Sequence, residues 1–406
     1  MRNKLLALLL FVTLQISAQT HIEYFDIDSK YIDETRTIAV SSPKQYKNST
    51  KTYPIILILD DGLLFNTVNG IVNQLSNTSR MPESIVVSLS TSDKHRNYFA
   101  PNLYNNHRDR KYNYGNNQEE FVRFLQLELL PTIEKKYRTN NFKMIVGFSP
   151  SSAIAVYTLL NKPDLFQAYV CFAAGNIIGD GYNKGERLIE ELEKLYAKNK
   201  MRQNHLYVVS GSKDADGQPY ISTNIKEFNQ KLSKYNSQTT HTRAEIIEGE
   251  GHTDVILPGL IAAFDFIFPK EKWLVDYLTL IEEKGSAREN ISSFYEKLSN
   301  EYEFQIYPNV DRIYSMSCLK NIGRRLLGTK KIEEAIGLYQ YWVELYPRSH
   351  LPHYYLGLSY KENKENNKAI ASFKKAYDIA ITQKSSDSKT YKEVERIKTF
   401  ANKELR

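Results

Sequence analysis

A serine, an aspartate and a histidine follow one another along the chain in a setting typical of acyl-transfer chemistry. Ser149 lies in Gly147-Phe-Ser149-Pro-Ser151, after a short apolar run and before a predicted helix. A serine hydroxyl becomes a nucleophile when a histidine removes its proton and a carboxylate orients the imidazole. Asp214 and His252 each follow a later apolar segment. The pattern predicts Ser149 as nucleophile, His252 as base and Asp214 as the orienting acid.

The sequence leaves alternatives open for two of these residues. Asp216 lies in the same predicted loop as Asp214 and could take its place. His252 could also be a loop histidine without a catalytic role, although the order serine, acid, histidine favours the functional interpretation. The remaining histidines show no metal-ligand spacing, so we expect no metal, and we expect no cofactor.

Short strands alternating with helices must position these residues. The run Pro54–Leu59 is continuously apolar and Ser84–Leu89 is mostly so, as strands buried on both faces should be. Strands separated by helices predict an α/β fold with a mainly parallel sheet, and ligands bind such sheets beyond the carboxyl ends of the strands. The opening stretch His21–Pro43 is predicted as antiparallel edge strands. Further strands are predicted at 144–146, 166–173, 205–209 and 244–247, and helices at 119–137 and 154–160.

Several further motifs follow in a fixed order between residues 20 and 269. They are Leu59-Asp-Asp-Gly62, Pro82-Glu83 before a Val-rich strand, Glu128-Leu-Leu-Pro131, Lys136-Tyr-Arg138, Pro163-Asp-Leu-Phe166 and a Gly-x-x-His ending at His252. Together with the serine motif they resemble the putative-esterase family of α/β-hydrolases, which includes esterase D-like and enterobactin-esterase-like proteins. The resemblance implies an α/β-hydrolase fold and cleavage of a carboxylic ester or thioester by a Ser-His-Asp triad. It also implies that backbone N–H groups near Asp61 and Gly62 form one side of an oxyanion hole.

The chain departs from this family directly after the serine. Pro150 stands where the next backbone N–H would stabilise the oxyanion, and proline has no N–H. Loss of one such donor costs about 10²–10³ in rate. Ser151 and Ser152 replace the usual glycines, and a serine hydroxyl could substitute as donor. The alternative hypothesis is a catalytically weak or inactive hydrolase-fold binding protein.

The first eighteen residues have the layout of a secretory signal peptide. Arg2 and Lys4 precede the apolar run Leu5–Leu14, and Ser17-Ala18 offers small residues for cleavage after Ala18. We therefore expect export to the periplasm or the medium, with no membrane span after cleavage. The net charge is +7, of which the signal segment carries two units. So small a surplus does not indicate a nucleic-acid partner.

The sequence after Pro269 has helical periodicity and a repeat of 34 residues. Gly323 and Gly357, Ala335 and Ala369, and Tyr339 and Phe373 are each separated by that spacing. This resembles the tetratricopeptide repeat, in which small residues lie where paired helices touch. The expected domains are a signal peptide (1–18), an α/β-hydrolase domain (19–269), a helical linker (270–310) and a helical repeat domain (311–406). The repeats could bind a protein or peptide partner, or only pack on the hydrolase domain.

Two smaller features complete the sequence expectations. The stretch Tyr104–Gly115 mixes basic and aromatic residues, and we interpret it as a loop that lines the site for a small-molecule ester substrate. Cys171 and Cys318 are the only cysteines and are expected in different domains, which argues against a disulfide framework.

Overall fold

The computed structural model of the chain describes residues 21–90, 93–198, 204–312, 314–382 and 388–404. The predicted signal peptide and its cleavage site lie outside the described residues. The described strands are β1 (His21–Ser29), β2 (Glu34–Ser42), β3 (Tyr53–Ile58), β4 (Ile85–Leu89), β5 (Leu103–Asn105), β6 (Arg110–Tyr112), β7 (Thr139–Phe148), β8 (Ala168–Phe172), β9 (Asn204–Gly211) and β10 (Thr240–Ile247).

Eight of these strands form one sheet in the order β1-β2-β4-β3-β7-β8-β9-β10. The six strands from β4 to β10 run parallel to their neighbours, while β1 pairs antiparallel with β2 and β2 antiparallel with β4. The predicted α/β class and mainly parallel sheet are therefore confirmed. The β5–β6 hairpin is a separate two-stranded sheet within the stretch that the sequence indicated as a loop.

Helices cover both faces of the sheet because successive side chains of its strands point to opposite sides. Ile56 and Ile58 of β3 pack into one apolar layer, whereas Ile55 and Leu57 pack into the other. The helices of this part are α1 (Asp61–Asn77), α2 (Asp93–Phe99), α3 (Gln118–Phe124), α4 (Leu130–Lys136), α5 (Pro150–Asn161), α6 (Leu188–Lys198), α7 (Ser212–Gly217), α8 (Tyr220–Leu232) and α9 (Ile256–Ile267). A π-helical turn at Leu125–Leu129 joins α3 to α4, so the predicted helix 119–137 is present as two α-helices linked by this turn.

The remainder of the described chain is helical. Its helices are α10 (Lys270–Trp273), α11 (Tyr277–Leu280), α12 (Ala287–Tyr302), α13 (Leu319–Gly328), α14 (Ile332–Leu345), α15 (His350–Glu362), α16 (Asn366–Thr382) and α17 (Ser388–Glu404). The layer on the α1 and α9 side of the sheet continues without a break into these helices, through side chains such as Trp273 and Tyr302. The helical part therefore extends the core of the sheet rather than standing apart from it.

The same glycine–ring contact occurs twice in these helices. A Cβ added to Gly323 would lie 2.4 Å from the ring of Tyr339, and one added to Gly357 would lie 2.7 Å from the ring of Phe373. The 34-residue spacing thus corresponds to two helix pairs, α13 with α14 and α15 with α16, each closed around an aromatic ring. Assignment of these pairs to the tetratricopeptide family stays a prediction.

The helical part meets the sheet at the amino ends of its parallel strands. The N–H of Thr50, just before β3, donates to the carbonyl of Leu345 at 3.0 Å. Lys51 forms an ion pair with Glu83, and the hydroxyl of Tyr346 donates to the same carboxylate at 3.3 Å. Burial alone would lower the pKa of Lys51, but the attraction of Glu83 outweighs it and raises that pKa. The junction therefore contains a buried ammonium group, that of Lys51, which is paired with the carboxylate of Glu83.

Cys171 lies buried in β8 and Cys318 lies buried just before α13, and both are free thiols. Among the described residues, no helix combines the length and apolar character needed to cross a bilayer.

Candidate active site

Ser149 occupies a strained turn between β7 and α5. Its backbone has φ 54° and ψ −120°, a conformation that non-glycine residues rarely adopt. The turn is tight because α5 begins directly behind it, and a Cβ on Gly147 would lie 2.5 Å from the carbonyl oxygen of Ser151. Only glycine fits at residue 147, so the sequence motif produces the sharp elbow that lifts the serine out of the sheet.

The loops after β9 and β10 are held against each other, and this contact brings the acid to the histidine. The N–H of Lys213 donates to the carbonyl of Glu250 at 3.0 Å, and a Cβ on Gly211 would lie 2.3 Å from that oxygen. The N–H of Gly249 donates to the hydroxyl of Ser212 at 2.9 Å. Neighbouring parallel strands thus place Asp214 and His252 at the same edge of the sheet.

His252 lies within hydrogen-bonding distance of both other residues predicted from the sequence. Nδ1 of His252 lies 2.7 Å from Oδ2 of Asp214, and Nε2 of His252 lies 3.2 Å from Oγ of Ser149. With the proton on Nδ1, the imidazole donates to the carboxylate and accepts the serine proton at Nε2. The structure places Asp214 on the imidazole, while Asp216 is an exposed residue beyond it.

The site is open to solvent. The side chain of His252 is 48% exposed and that of Asp214 is 19% exposed. The ring of Phe148 meets the imidazole edge-on, with 5.1 Å between the ring centroids, and so supports one side of it.

A buried carboxylate holds the elbow on both sides of the serine. Oδ2 of Asp60 accepts the N–H of Phe148 at 3.0 Å, and Oδ1 accepts the hydroxyl of Ser151 at 2.9 Å. Nη1 of Arg96 lies 3.7 Å from the same Oδ1. Because the hydroxyl of Ser151 donates to Asp60, it is not directed at an oxyanion in this structure. The hypothesis that the hydroxyl of Ser151 replaces the missing oxyanion donor is therefore not supported by this contact.

Donors for an oxyanion are few at the elbow itself. Pro150 is the first residue of α5 and has no N–H, and the N–H of Ser149 donates to the carbonyl of Phe172 at 2.9 Å. The first bond within α1 is donated by Leu64 to Asp60, so the N–H groups of Asp61 and Gly62 have no acceptor inside the helix. A Cβ on Gly62 would meet no heavy atom within 4 Å. The start of α1 thus offers donors beside open space.

The basic and aromatic stretch contacts the start of α8. The β5–β6 hairpin bears the exposed residues Arg108, Arg110 and Lys111. The ring of His107 stacks on Tyr220, the first residue of α8, with 4.6 Å between centroids. The substrate-lining role of the stretch stays a prediction, and Tyr220 is a neighbour that the sequence did not single out. Asp60 and Arg96 were also missed as site residues, although Asp60 lies in the Leu-Asp-Asp-Gly motif.

No group of three or more His, Cys, Asp and Glu side chains is arranged to hold a metal ion within the described ranges. The site as the structure shows it consists of a serine, an imidazole, two carboxylates and backbone donors. These groups are suited to covalent acyl transfer.

The mainly parallel sheet, the elbow after β7 and the acid and histidine after β9 and β10 define an α/β-hydrolase. The family model described as "Putative esterase" matches residues 29–253, more than half of the chain. The chain therefore belongs to the putative esterase family, and it is a carboxylic ester hydrolase.

Similar proteins agree with this assignment. The "Ferri-bacillibactin esterase BesA" of Bacillus subtilis (strain 168) is 27% identical over 229 residues, which cover 52% of this chain and 76% of that protein. The structure of an "IroE-like serine hydrolase" from Shewanella oneidensis matches with a TM-score of 0.62 at 20% identity, covering 78% of this chain and 98% of its own.

One solved structure matches nearly the whole chain. An uncharacterised protein from Capnocytophaga ochracea DSM 7271 covers 94% of this chain and 100% of its own, with a TM-score of 0.54 at 17% identity. At this identity the likeness shows the fold alone. Its coverage extends over the helical part as well as the sheet.

Proposed function

We propose that this protein is an exported serine hydrolase in which Ser149, His252 and Asp214 cleave a carboxylic ester. The observation that carries the proposal is the pair of contacts at His252, 2.7 Å to Asp214 and 3.2 Å to Ser149. Oγ of Ser149 bonds to the acyl carbon while its proton passes to Nε2 of His252. The protonated imidazole then gives that proton to the leaving alcohol, and water releases the acyl group by the same route.

A matched pair of variants tests this mechanism. Ser149→Ala should abolish hydrolysis of a short-chain nitrophenyl ester and labelling by a fluorophosphonate probe, whereas Ser152→Ala should leave the labelling site intact. Ser152 lies one helical turn away and donates its hydroxyl to backbone carbonyls, so it is a suitable control. Equal rates for the parent protein and Ser149→Ala would support the alternative of a hydrolase-fold binding protein.

We propose an anionic ester with aromatic groups as the natural substrate class, with iron-bound siderophores as the first candidates. The exposed Arg108, Arg110 and Lys111 and the stacked rings of His107 and Tyr220 support this choice. The name of the Bacillus subtilis relative specifies ferri-bacillibactin, which is therefore the test substrate. Arg108→Ala combined with Arg110→Ala should raise KM for ferri-bacillibactin and leave a neutral nitrophenyl ester unaffected. Equal changes for both substrates would remove the hairpin from substrate recognition.

Export rests on the first eighteen residues, which lie outside the described part of the chain. The positive start, the apolar run and Ser17-Ala18 are the supporting pattern. Amino-terminal sequencing of the protein from the periplasm or medium should begin at Gln19. An intact Met1 on cytoplasmic protein would contradict export.

For the helical part we propose that packing against the hydrolase part is its first role. The continuous apolar layer through Trp273 and Tyr302 and the contacts of Thr50 and Glu83 support this. Removal of residues 311–406 should leave an insoluble remainder. A soluble, well-folded remainder would favour recruitment of a protein or peptide partner instead.

A further inference from the structure

The elbow lacks the usual means of holding a negative oxygen. Pro150 has no N–H, the N–H of Ser149 is bonded to Phe172, and the hydroxyl of Ser151 is bonded to Asp60. The start of α1 can supply one side of an oxyanion hole, but the donor that normally follows the nucleophile is missing. An efficient hydrolase with this elbow needs another source of positive potential.

The negative charge of Asp60 increases the need for positive potential at the elbow. Its carboxylate binds the N–H of Phe148 and the hydroxyl of Ser151, so it lies against the residues on both sides of Ser149. The carboxylate is buried and its negative charge is poorly screened by solvent. An uncompensated charge at this position would oppose the negative charge that develops on the carbonyl oxygen of the substrate.

Arg96 is the cation that the structure places on this carboxylate. Nη1 of its guanidinium lies 3.7 Å from Oδ1 of Asp60, the same oxygen that accepts the hydroxyl of Ser151. The side chain is 21% exposed, so its charge acts in partly desolvated surroundings. Arg96 belongs to α2, which contacts α5, the helix that begins at the elbow.

We propose that Arg96 supplies the electrostatic stabilisation of the oxyanion that Pro150 cannot supply. The guanidinium offsets the charge of Asp60, the carboxylate bonded to the residues on both sides of Ser149, and so makes the potential at the elbow less negative. It exchanges no proton: the serine proton passes to His252, and Arg96 acts only through the electrostatic potential at the elbow. This inference rests on the proposed function, because it assumes that Ser149 attacks an ester.

A double-mutant cycle between residues 96 and 150 tests the proposal. Arg96→Gln should lower kcat for a nitrophenyl ester by about 10²-fold, the effect of losing one oxyanion donor, with little change in KM. Arg96→Lys should retain most of the rate because it keeps the positive charge. Pro150→Ala restores a backbone N–H after the serine and should raise kcat. In the Pro150→Ala background, Arg96→Gln should cost less than about 10-fold, because the restored donor does part of the same task.

The outcomes distinguish the role of Arg96 from the proposed hydrolase function. Loss of activity in Ser149→Ala together with equal losses for Arg96→Gln in both backgrounds would overturn only the role of Arg96. Unchanged activity in Ser149→Ala would remove the proposed function itself. If Arg96→Gln does not fold, the same cycle is run with Arg96→Met, which also removes the positive charge. A smaller loss for Arg96→Met in the Pro150→Ala background supports the proposal, and equal losses overturn it.

Discussion

Nδ1 of His252 lies 2.7 Å from a carboxylate oxygen of Asp214, close enough to fix the ring by a charge-assisted hydrogen bond. Asp214→Asn should lower kcat by about 10³–10⁴-fold, because the amide favours the wrong tautomer of the imidazole. Asp216→Asn is the matched control and should stay within about 3-fold of the parent, since residue 216 is exposed and outside this contact. Steady-state hydrolysis of a nitrophenyl ester measures both. A larger loss of kcat for Asp216→Asn than for Asp214→Asn would identify Asp216 as the acid of the triad.

The glycine–ring contacts in the helical part predict a stability difference between similar substitutions. Gly357→Ala should destabilise the protein by about 1–3 kcal/mol, because the new methyl group collides with the buried ring of Phe373. Gly337→Ala, in the middle of α14, should be neutral or stabilising, since a Cβ there meets only one atom, at 4.0 Å. Urea unfolding of both variants gives the comparison. Equal effects would mean that the ring contact has no energetic role.

The Lys51–Glu83 pair predicts an asymmetry between single and double replacement. Lys51→Met leaves the carboxylate of Glu83 at the junction without its ammonium partner, and it should cost toward the lower end of the roughly 3–5 kcal/mol typical of broken buried pairs. Lys51→Met combined with Glu83→Gln removes both charges and keeps an acceptor for Tyr346, so it should recover much of that loss. Thermal unfolding of the parent and the two variants measures the difference. A double replacement as unstable as the single one would show that packing, not charge, decides the effect.

Asp180 predicts a specific dependence of stability on pH. Its side chain is buried, with only 1% of the residue exposed. Burial raises the pKa of Asp180 to about 8, against the opposing effects of Asn105 and Arg108. Between its ordinary value of 3.8 and about 8, the unfolded chain releases this proton and the folded chain retains it. The folded state therefore loses stability as pH rises through that window, by up to about 1.4 kcal/mol per pH unit.

Asp180→Asn removes this titration and isolates its contribution. The variant should gain stability relative to the parent as pH rises from about 4 to 8, and the gain should level off above that range. Denaturant unfolding at pH 5 and pH 8 gives the two differences to compare. A gain that is the same at both pH values would contradict an Asp180 that stays protonated in the folded state.

The sequence was most informative where one residue type has to satisfy a local requirement. The strands were predicted because Ile55 to Ile58 and their counterparts are buried on both faces, and the elbow because only glycine fits at residue 147. The triad was predicted because Asp214 and His252 follow Ser149 in the expected order, each just after a predicted strand. These features depend on short stretches of chain, so pattern alone could predict them.

Other features depend on contacts between distant segments. Helix α1 was not predicted, because its sequence is interrupted by asparagines and a glycine, and its order comes from burial of Leu64, Val68 and Val72. The contact of Arg96 with Asp60 joins residues from different strand–helix connections, and no spacing in the sequence indicates it. The β5–β6 hairpin likewise forms from a stretch whose composition resembles an irregular loop.

The junction around Lys51 and Glu83 lies at the amino ends of the parallel strands, whereas Ser149 follows a carboxyl end. A molecule bound to the helical part on the side of this junction would therefore lie at the edge of the sheet opposite to Ser149. Helix pairs could be added to or removed from the end of the helical part without blocking access of an ester to Ser149. Binding by the helical part and catalysis at Ser149 can therefore change independently.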